Sequence, residues 1–276
     1  MGHFVIGPLW ILVIAGCAAA QPASSPPPPP LVSDASAPAT PAVPGPSGGV
    51  DAALDRLDAL GDSLRDFDAD VRLTSEDPAF GNTATRIGKV WYQTKPDGDA
   101  RIRVGFTARA ENDEDPTPDR VEYVLDGGWL TDRNYARKVE VRRQVAKPGE
   151  RINLLRLGEG PFPLPIGQDK AEVHRLFTVE QVPPTADGRA GDGPAGTTHL
   201  RLTPRPTTQF ADKFQQIDVW VDDATAMPRR IETIDPRENV NETVLENVRV
   251  NPGLNDADFQ LGPVDGWDVK TEQYEE

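Results

Sequence analysis

The first feature of the chain's pattern is a stretch in which apolar residues recur every three or four positions. It runs from Val50 to Val71, as VDAALDRLDALGDSLRDFDADV, with acidic and other polar residues in the gaps. The apolar positions are Leu54, Leu57, Leu60, Leu64 and Phe67. Such spacing places side chains on one face of a helix. The pattern therefore predicts an amphipathic helix of about four or five turns at the start of a folded region.

Beyond this helix, apolar and polar residues alternate with a period of two, the pattern of a half-buried β-strand. The alternating stretches include 102–106, 121–125, 217–221 and 244–250. Turn sequences such as Asp126-Gly127-Gly128 separate them. Strands that follow one another without intervening helices favour an antiparallel meander.

The segment from Glu150 to Gly167, ERINLLRLGEGPFPLPIG, interrupts the alternation. It holds a short helical pattern and then the apolar stretch FPLPI. Because proline lacks an amide donor, two prolines among apolar residues are incompatible with a central strand. We therefore expect this segment to lie across the sheet as a short helical and loop lid. Together the elements predict a mainly β (α+β) fold, with a curved antiparallel sheet whose concave face is partly covered.

The N-terminus, MGHFVIGPLWILVIAGC, has an apolar run that is too short for a membrane span of about 20 residues and suits a signal peptide. It ends in Ala15-Gly16-Cys17, which contains the sequence's single cysteine. This ending resembles a bacterial lipobox, whose cysteine receives diacylglycerol before the leader is removed. The resemblance implies a signal peptide at 1–16 and lipidation of Cys17. Two alternatives stay open: cleavage after Ala20 without a lipid, and an uncut leader that serves as a short anchor.

Residues 17–49 are rich in proline, alanine and serine, a composition that cannot bury enough apolar surface to fold. We expect a disordered, extended tether between a membrane and the folded region 50–276. The formal net charge of −15 argues against a nucleic-acid partner, because such proteins neutralise phosphates with clustered basic residues. Attachment to a membrane would therefore depend on acyl chains.

An ordered series of weak motifs covers the folded region. The motifs are LRDFDADVRLT, GKVWYQTKP, RIRVGF, VLDGGWLTDRNYARKVEV, GPFPLPIG, and the stretch from FQQIDVWV to DGWDV. In order and spacing they resemble the LolA/LolB-like periplasmic lipoprotein carriers, the outer-membrane lipoprotein-sorting family. The resemblance implies an open half-barrel with a lid at GPFPLPIG and an apolar cavity that binds acyl chains. It also places Lys95, before Pro96, at the position of a functionally important basic residue.

A set of apolar and aromatic residues are candidates for the wall and lid of that cavity. They are Trp91, Tyr92, Ile102, Val104, Phe106, Tyr123, Trp129, Leu154, Leu155, Phe162, Leu164, Ile166 and Trp220. Since each buried methylene contributes about 0.8 kcal/mol, one sixteen-carbon chain would gain on the order of 10 kcal/mol on leaving water. The same side chains also suit an ordinary protein core, and alternation alone leaves both interpretations open.

The sequence shows no recognisable catalytic or metal-binding pattern. The folded region has two histidines, His174 and His199, and neither has the spacing of a metal site. It lacks a GxSxG elbow, a P-loop and a dinucleotide-binding GxGxxG. The acidic runs 111–115 and 256–258 do not match an EF-hand loop. We therefore expect no enzymatic activity, no cofactor and no metal.

The two resemblances together imply a membrane-anchored lipoprotein that binds acyl chains of lipids or lipoproteins for sorting or transfer in the bacterial envelope. The alternative is a non-transport envelope sensor or scaffold that reuses the same fold and has a dedicated protein partner. Ala18 follows the cysteine where an inner-membrane protein would carry aspartate, which favours the outer membrane. We expect a monomer that faces the periplasm.

Overall fold

The computed structural model describes residues 49–96, 98–112, 114–147, 166–183 and 193–273. The chain divides into two units, Met1–Ser47 and Gly48–Glu276. All described residues belong to the second unit. The predicted leader, Cys17 and almost all of the predicted tether therefore lie outside them.

The described residues form three helices and twelve strands. The helices are α1 (Gly49–Ser63), α2 (Lys170–Leu176) and α3 (Asp256–Phe259). The strands are β1 (Asp66–Asp77), β2 (Asn82–Thr94), β3 (Ala100–Glu111), β4 (Thr117–Asp126), β5 (Trp129–Asn134), β6 (Val139–Gln144), β7 (Phe177–Gln181), β8 (Thr197–Pro204), β9 (Gln216–Asp222), β10 (Pro228–Ile234), β11 (Val240–Val250) and β12 (Asp268–Glu272).

All twelve strands belong to one sheet, in the order β12-β6-β5-β4-β3-β2-β1-β11-β10-β9-β8-β7. Every pairing is antiparallel except that of β12 with β6, which is parallel. Strands β12 and β7 form the two ends, so within the described residues the sheet is open. The prediction of a mainly β fold built on an open antiparallel sheet is confirmed.

Helix α1 ends earlier than the apolar stripe predicts. It stops at Ser63, and Phe67 lies in β1. Asn251 lies at this end, where its Oδ1 accepts hydrogen bonds from the backbone amides of Arg65 at 2.8 Å and Asp66 at 3.2 Å. Its Nδ2 also donates to the carbonyl of Ser63 at 3.0 Å. This distant side chain satisfies backbone groups that a longer helix would otherwise bond internally.

The two faces of the sheet have different chemistry, because successive side chains of a strand point to opposite sides. One face carries Phe67, Ala69 and Val71 of β1, which form a single core cluster with Leu54 and Leu57 of α1. We call this the helix-covered face, and the other the opposite face. Other members of the cluster are Leu60, Val90, Tyr92, Ile102, Val104, Phe106, Ile166, Val173, Phe177, Leu200, Ile217, Val219, Met227 and Leu245.

Two glycines hold the end of the predicted lid against α1. The amide of Gly167 donates to the carbonyl of Leu57 at 3.1 Å. A Cβ added to Gly61 would lie 2.1 Å from the Cα of Gly167, so only glycine at position 61 permits this backbone contact. Ile166, the residue before, is 2% exposed and belongs to the core cluster.

The C-terminal segment 251–273, which we call the strap, crosses the opposite face. Arginines of the sheet hold it in place. Arg101 Nη2 pairs with Asp256 at 2.7 Å, and Arg103 Nη1 donates to the carbonyl of Asp258 at 2.9 Å. Farther along, Arg133 Nη1 donates to the carbonyl of Gly262 at 2.8 Å. The strap then ends in β12, which pairs with β6.

Candidate functional site

Five predicted cavity residues are neighbours on the helix-covered face of β2, β3 and β4. Tyr92 pairs with Ile102, Val104 pairs with Tyr123, and Phe106 lies one position farther along the same face of β3. Tyr92, Ile102, Val104 and Phe106 are between 3% and 7% exposed, and Tyr123 is half-buried. The strand pairing therefore brings these side chains together in one contiguous apolar layer.

Three predicted cavity residues, Trp91, Trp129 and Trp220, lie on the opposite face. Trp91 cannot share a face with its neighbour Tyr92, because side chains alternate along a strand. It lies beneath the guanidinium of Arg103, 4.8 Å from the ring centre. The register of the sheet therefore places these tryptophans on a different face from Tyr92, and their contact with a ligand stays a prediction.

Trp220 has a structural role within a polar stack on the opposite face. Its ring lies 4.0 Å from that of His199, nearly parallel, and Arg230 lies 4.4 Å from its ring centre. His199 Nε2 is 2.6 Å from Asp218 Oδ1, and Arg201 Nε donates to the same oxygen at 3.0 Å. Burial raises the pKa of Asp218, but its hydrogen bonds with His199 and Gln216 and the charge of Arg201 outweigh burial, leaving a net lowered pKa.

The other predicted lid residues, Leu154, Leu155, Phe162 and Leu164, lie outside the described residues. Their part in ligand binding stays a prediction, as does that of Ile166, whose side chain is packed in the core cluster.

Lys95 is held by two carboxylates at the end of the β2–β3 hairpin. Its Nζ lies 2.5 Å from Asp126 Oδ1 and 3.5 Å from Asp99 Oδ2. Partial burial lowers the pKa of Lys95, but the hydrogen bond and charge of Asp126, with those of Asp99, raise it to a net value above the ordinary one. The ammonium group is thus fixed in its charged form, as a basic group that links two strands.

One polar group that the sequence analysis missed, the carboxylate of Asp132, lies beside the apolar layer. Asp132 of β5 is directly paired with Tyr123 of β4, so both side chains face the helix-covered side. Both are half-buried. Leu130 and Asp132 are two positions apart in β5, so the sequence predicts that they face the same side of the sheet. It does not predict which side chains surround Asp132. Leu125, also half-buried, completes this side of the layer through its pairing with Ile102.

Two clefts formed by described residues lie away from the apolar layer. One, of about 330 Å³, is lined by Gln93, Lys95, Pro96, Arg101 and Asp256. The other, of about 430 Å³, lies between the sheet and the strap and includes Trp129, Arg133, Glu140 and Phe259. The buried residues of the core cluster are at most 8% exposed. Four of the five residues of the apolar layer are therefore closed off from solvent, and Tyr123 is half-buried.

Other functional chemistry is sparse within the described ranges. They contain no group of three or more histidine, cysteine, aspartate or glutamate side chains that could hold a metal ion. In the same residues, no helix has the length and apolar character needed to span a membrane. His174 lies 3.0 Å from Asp51, where it links α2 to α1 at the surface.

No protein-family model and no curated protein matches this sequence. Among solved structures, the chain is similar to an uncharacterized conserved protein from Thermus thermophilus, with 12% identity and a TM-score of 0.44, over 80% of this chain and 97% of that one. It is similar to the Pseudomonas aeruginosa MucA/MucB complex, with 16% identity and a TM-score of 0.41, over 76% of this chain and 61% of that one. It is also similar to a LolA superfamily protein from Nitrosomonas europaea, with 11% identity and a TM-score of 0.30, over 77% of this chain and 98% of that one.

Proposed function

We propose that the protein is a membrane-anchored envelope protein that binds acyl chains of lipids or lipoproteins on its helix-covered face, for sorting or transfer. The observation that carries this proposal is the contiguous apolar layer of β2, β3 and β4 in a sheet that stays open. In such a sheet, the elements that cover the layer can separate from it without breaking the strand ladder. The motif resemblance to lipoprotein carriers supports the same function.

Acyl binding requires the closed layer to open, because the core side chains already contact one another. A sixteen-carbon chain supplies on the order of 10 kcal/mol on leaving water. Part of this free energy replaces the protein–protein contacts that separate, so the net affinity is smaller than the transfer term. Binding is thus an exchange of internal apolar contacts for contacts with the acyl chain.

The membrane anchor in this proposal is a lipid on Cys17, at the end of the lipobox-like sequence. The extended tether would let the folded unit reach acyl chains that lie away from its own membrane. Mass spectrometry of the mature N-terminus tests the anchor. A diacylated Cys17 supports it, and an unmodified chain that begins at Gln21 contradicts it.

We expect Leu125→Gln to weaken acyl-chain binding by about tenfold. The substitution places an amide against the acyl path, and burying an amide without a partner costs about 1–3 kcal/mol. Leu125 is half-buried, so the fold should tolerate glutamine at this position. The measurement is displacement of a fluorescent acyl probe from the unit Gly48–Glu276, which contains every described helix and strand.

The control is Trp91→Gln, which introduces the same side chain on the opposite face. It should leave the affinity for the probe unchanged. Equal effects of the two substitutions would contradict binding on the helix-covered face. If the unit binds no acyl probe and instead retains one dedicated envelope protein, the sensor or scaffold function replaces this proposal.

A further inference from the structure

Within the part of the chain that the structure describes, a carboxylate without a partner lies at the border of the apolar layer. Among the described residues, Asp132 has no hydrogen bond and no ion pair, and the hydroxyl of its cross-strand partner Tyr123 has no hydrogen bond. Burying a polar group without a partner costs free energy, and both Asp132 and Tyr123 are half-buried, so part of this cost falls on each of them. Two such groups side by side, facing the layer proposed to bind acyl chains, indicate a polar group that the ligand supplies.

The surrounding charges define the sign of that group. Arg86 pairs with Asp119 at 3.2 Å, and Arg143 pairs with Glu272 at 2.6 Å. These are the arginines whose charges act on Asp132. Each arginine is already neutralised by its own carboxylate. The two ion pairs and Asp132 together therefore carry one net negative charge, that of Asp132. A cationic ligand group would neutralise it, whereas an anionic group would add to it.

The position of Asp132 and Tyr123 in the sheet also defines the shape of the ligand. Tyr123 pairs with Val104 in β3, so Asp132 is two strands away from the centre of the apolar layer. Neighbouring strands are about 4.8 Å apart, which puts the carboxylate on the order of 10 Å from β3. A molecule that occupies both places has an apolar chain and a polar end.

We propose that Asp132, assisted by the hydroxyl of Tyr123, binds the ammonium headgroup of an acyl-chain lipid whose chain lies against Val104 and Phe106. This inference rests on the proposed function and names the class of lipid for the same site. The carboxylate accepts charge-assisted hydrogen bonds from the ammonium group, and the phenol oxygen accepts another.

The test compares ligands of equal chain length in displacement of a fluorescent acyl probe from the unit Gly48–Glu276. The ligands are dodecylammonium, dodecanol and dodecanoate, with ethanolamine as an amine that lacks the chain. Dodecylammonium should bind about tenfold more tightly than dodecanol, since a hydrogen bond to a charged group is worth that factor or more. Dodecanoate should bind more weakly than dodecanol, and ethanolamine should not displace the probe.

The variant Asp132→Asn should remove the tenfold preference for dodecylammonium, because loss of the carboxylate weakens dodecylammonium binding far more than dodecanol binding. The matched control, Asp70→Asn, changes an aspartate on the opposite face that pairs with Lys89 at 3.6 Å, and it should keep the preference. Tyr123→Phe should weaken dodecylammonium binding by a smaller factor of about two to five.

Loss of folding does not explain the expected result. Burial raises the pKa of Asp132, and the charges of Arg143 and Arg86 only partly offset this. A carboxyl whose folded pKa is raised stabilises the fold at low pH, and this contribution is lost as the pH rises through that pKa. At neutral pH, Asp132→Asn should therefore unfold at the same temperature as the wild type or at a higher one.

Three results overturn the inference. If dodecanol binds wild-type protein as tightly as dodecylammonium, or if Asp132→Asn weakens all three ligands equally, Asp132 does not recognise an ammonium headgroup while acyl binding itself stands. If neither the probe nor any ligand binds, the proposed function and this inference both fall.

Discussion

Replacing Glu140 by glutamine should destabilise the folded unit by about 3–5 kcal/mol. The side chain of Glu140 is fully buried and binds two arginines. Arg133 Nε donates to Oε2 at 2.8 Å, and Arg142 Nε donates to Oε1 at 2.7 Å. A glutamine would turn its NH₂ group towards one guanidinium and leave buried positive charge without a counter-ion. Urea denaturation at neutral pH measures the loss.

The matched control is Glu272→Gln on the adjacent strand β12. Glu272 pairs with Arg143 at 2.6 Å, but its side chain is 54% exposed. An exposed pair of this kind contributes about 0–1 kcal/mol, so the control should unfold close to the wild type. If Glu140→Gln has an equally small effect, the ion pairs of Glu140 with Arg133 and Arg142 do not stabilise strands β5 and β6.

The effect of Glu140→Gln should depend on pH. Burial raises the pKa of Glu140, but hydrogen bonds and charges from Arg133 and Arg142 lower it to a net value below the ordinary 4.5. A group with a lowered folded pKa stabilises the fold above pH 4.5, and the contribution is lost as the pH falls through the folded pKa. The gap in stability between wild type and variant should therefore shrink below pH 4.5.

Replacing Leu57 by alanine should cost about 2–5 kcal/mol of stability. Leu57 is 0% exposed and lies at the centre of the apolar stripe of α1. The smaller side chain leaves a cavity between α1 and the helix-covered face. The backbone carbonyl of residue 57 also accepts the hydrogen bond from Gly167, so a shift of α1 would disturb that contact. Thermal and urea unfolding both report the change.

Asp62→Ala is the control for Leu57→Ala, because Asp62 is exposed on the same helix. It should change stability by less than about 0.5 kcal/mol. A loss of less than about 1 kcal/mol in Leu57→Ala would mean that α1 is loosely packed on the sheet, contrary to its burial.

The main elements were predictable because their periodicities are strong. The leucine stripe lies on α1, and the alternating stretches 102–106, 121–125, 217–221 and 244–250 lie in β3, β4, β9 and β11. Most of the side chains that face inward in these stretches are in the core cluster or packed against it. Local spacing was sufficient, since each element buries one face.

Other features depend on contacts that are distant in sequence. Asn251, which binds the backbone at the end of α1, is 186 positions from Arg65. Strand β12 consists of exposed residues, so it lacks apolar alternation, and its pairing with β6 has no local signal. For Trp91 and Tyr92 the local signal existed, since adjacent strand residues face opposite sides. For Asp132 alternation predicts the face, but only the structure shows that it lacks a partner among the described residues.

Photocrosslinking tests most directly whether the helix-covered face binds acyl chains. A fatty acid with a photoreactive group in its chain is bound to the unit Gly48–Glu276, illuminated, and located by peptide mass spectrometry. We expect crosslinks to Ile102, Val104, Phe106 and Tyr123. Crosslinks confined to Trp91, Trp129 or Trp220 on the opposite face, or none above those of an unfolded sample, would contradict acyl binding by the helix-covered face.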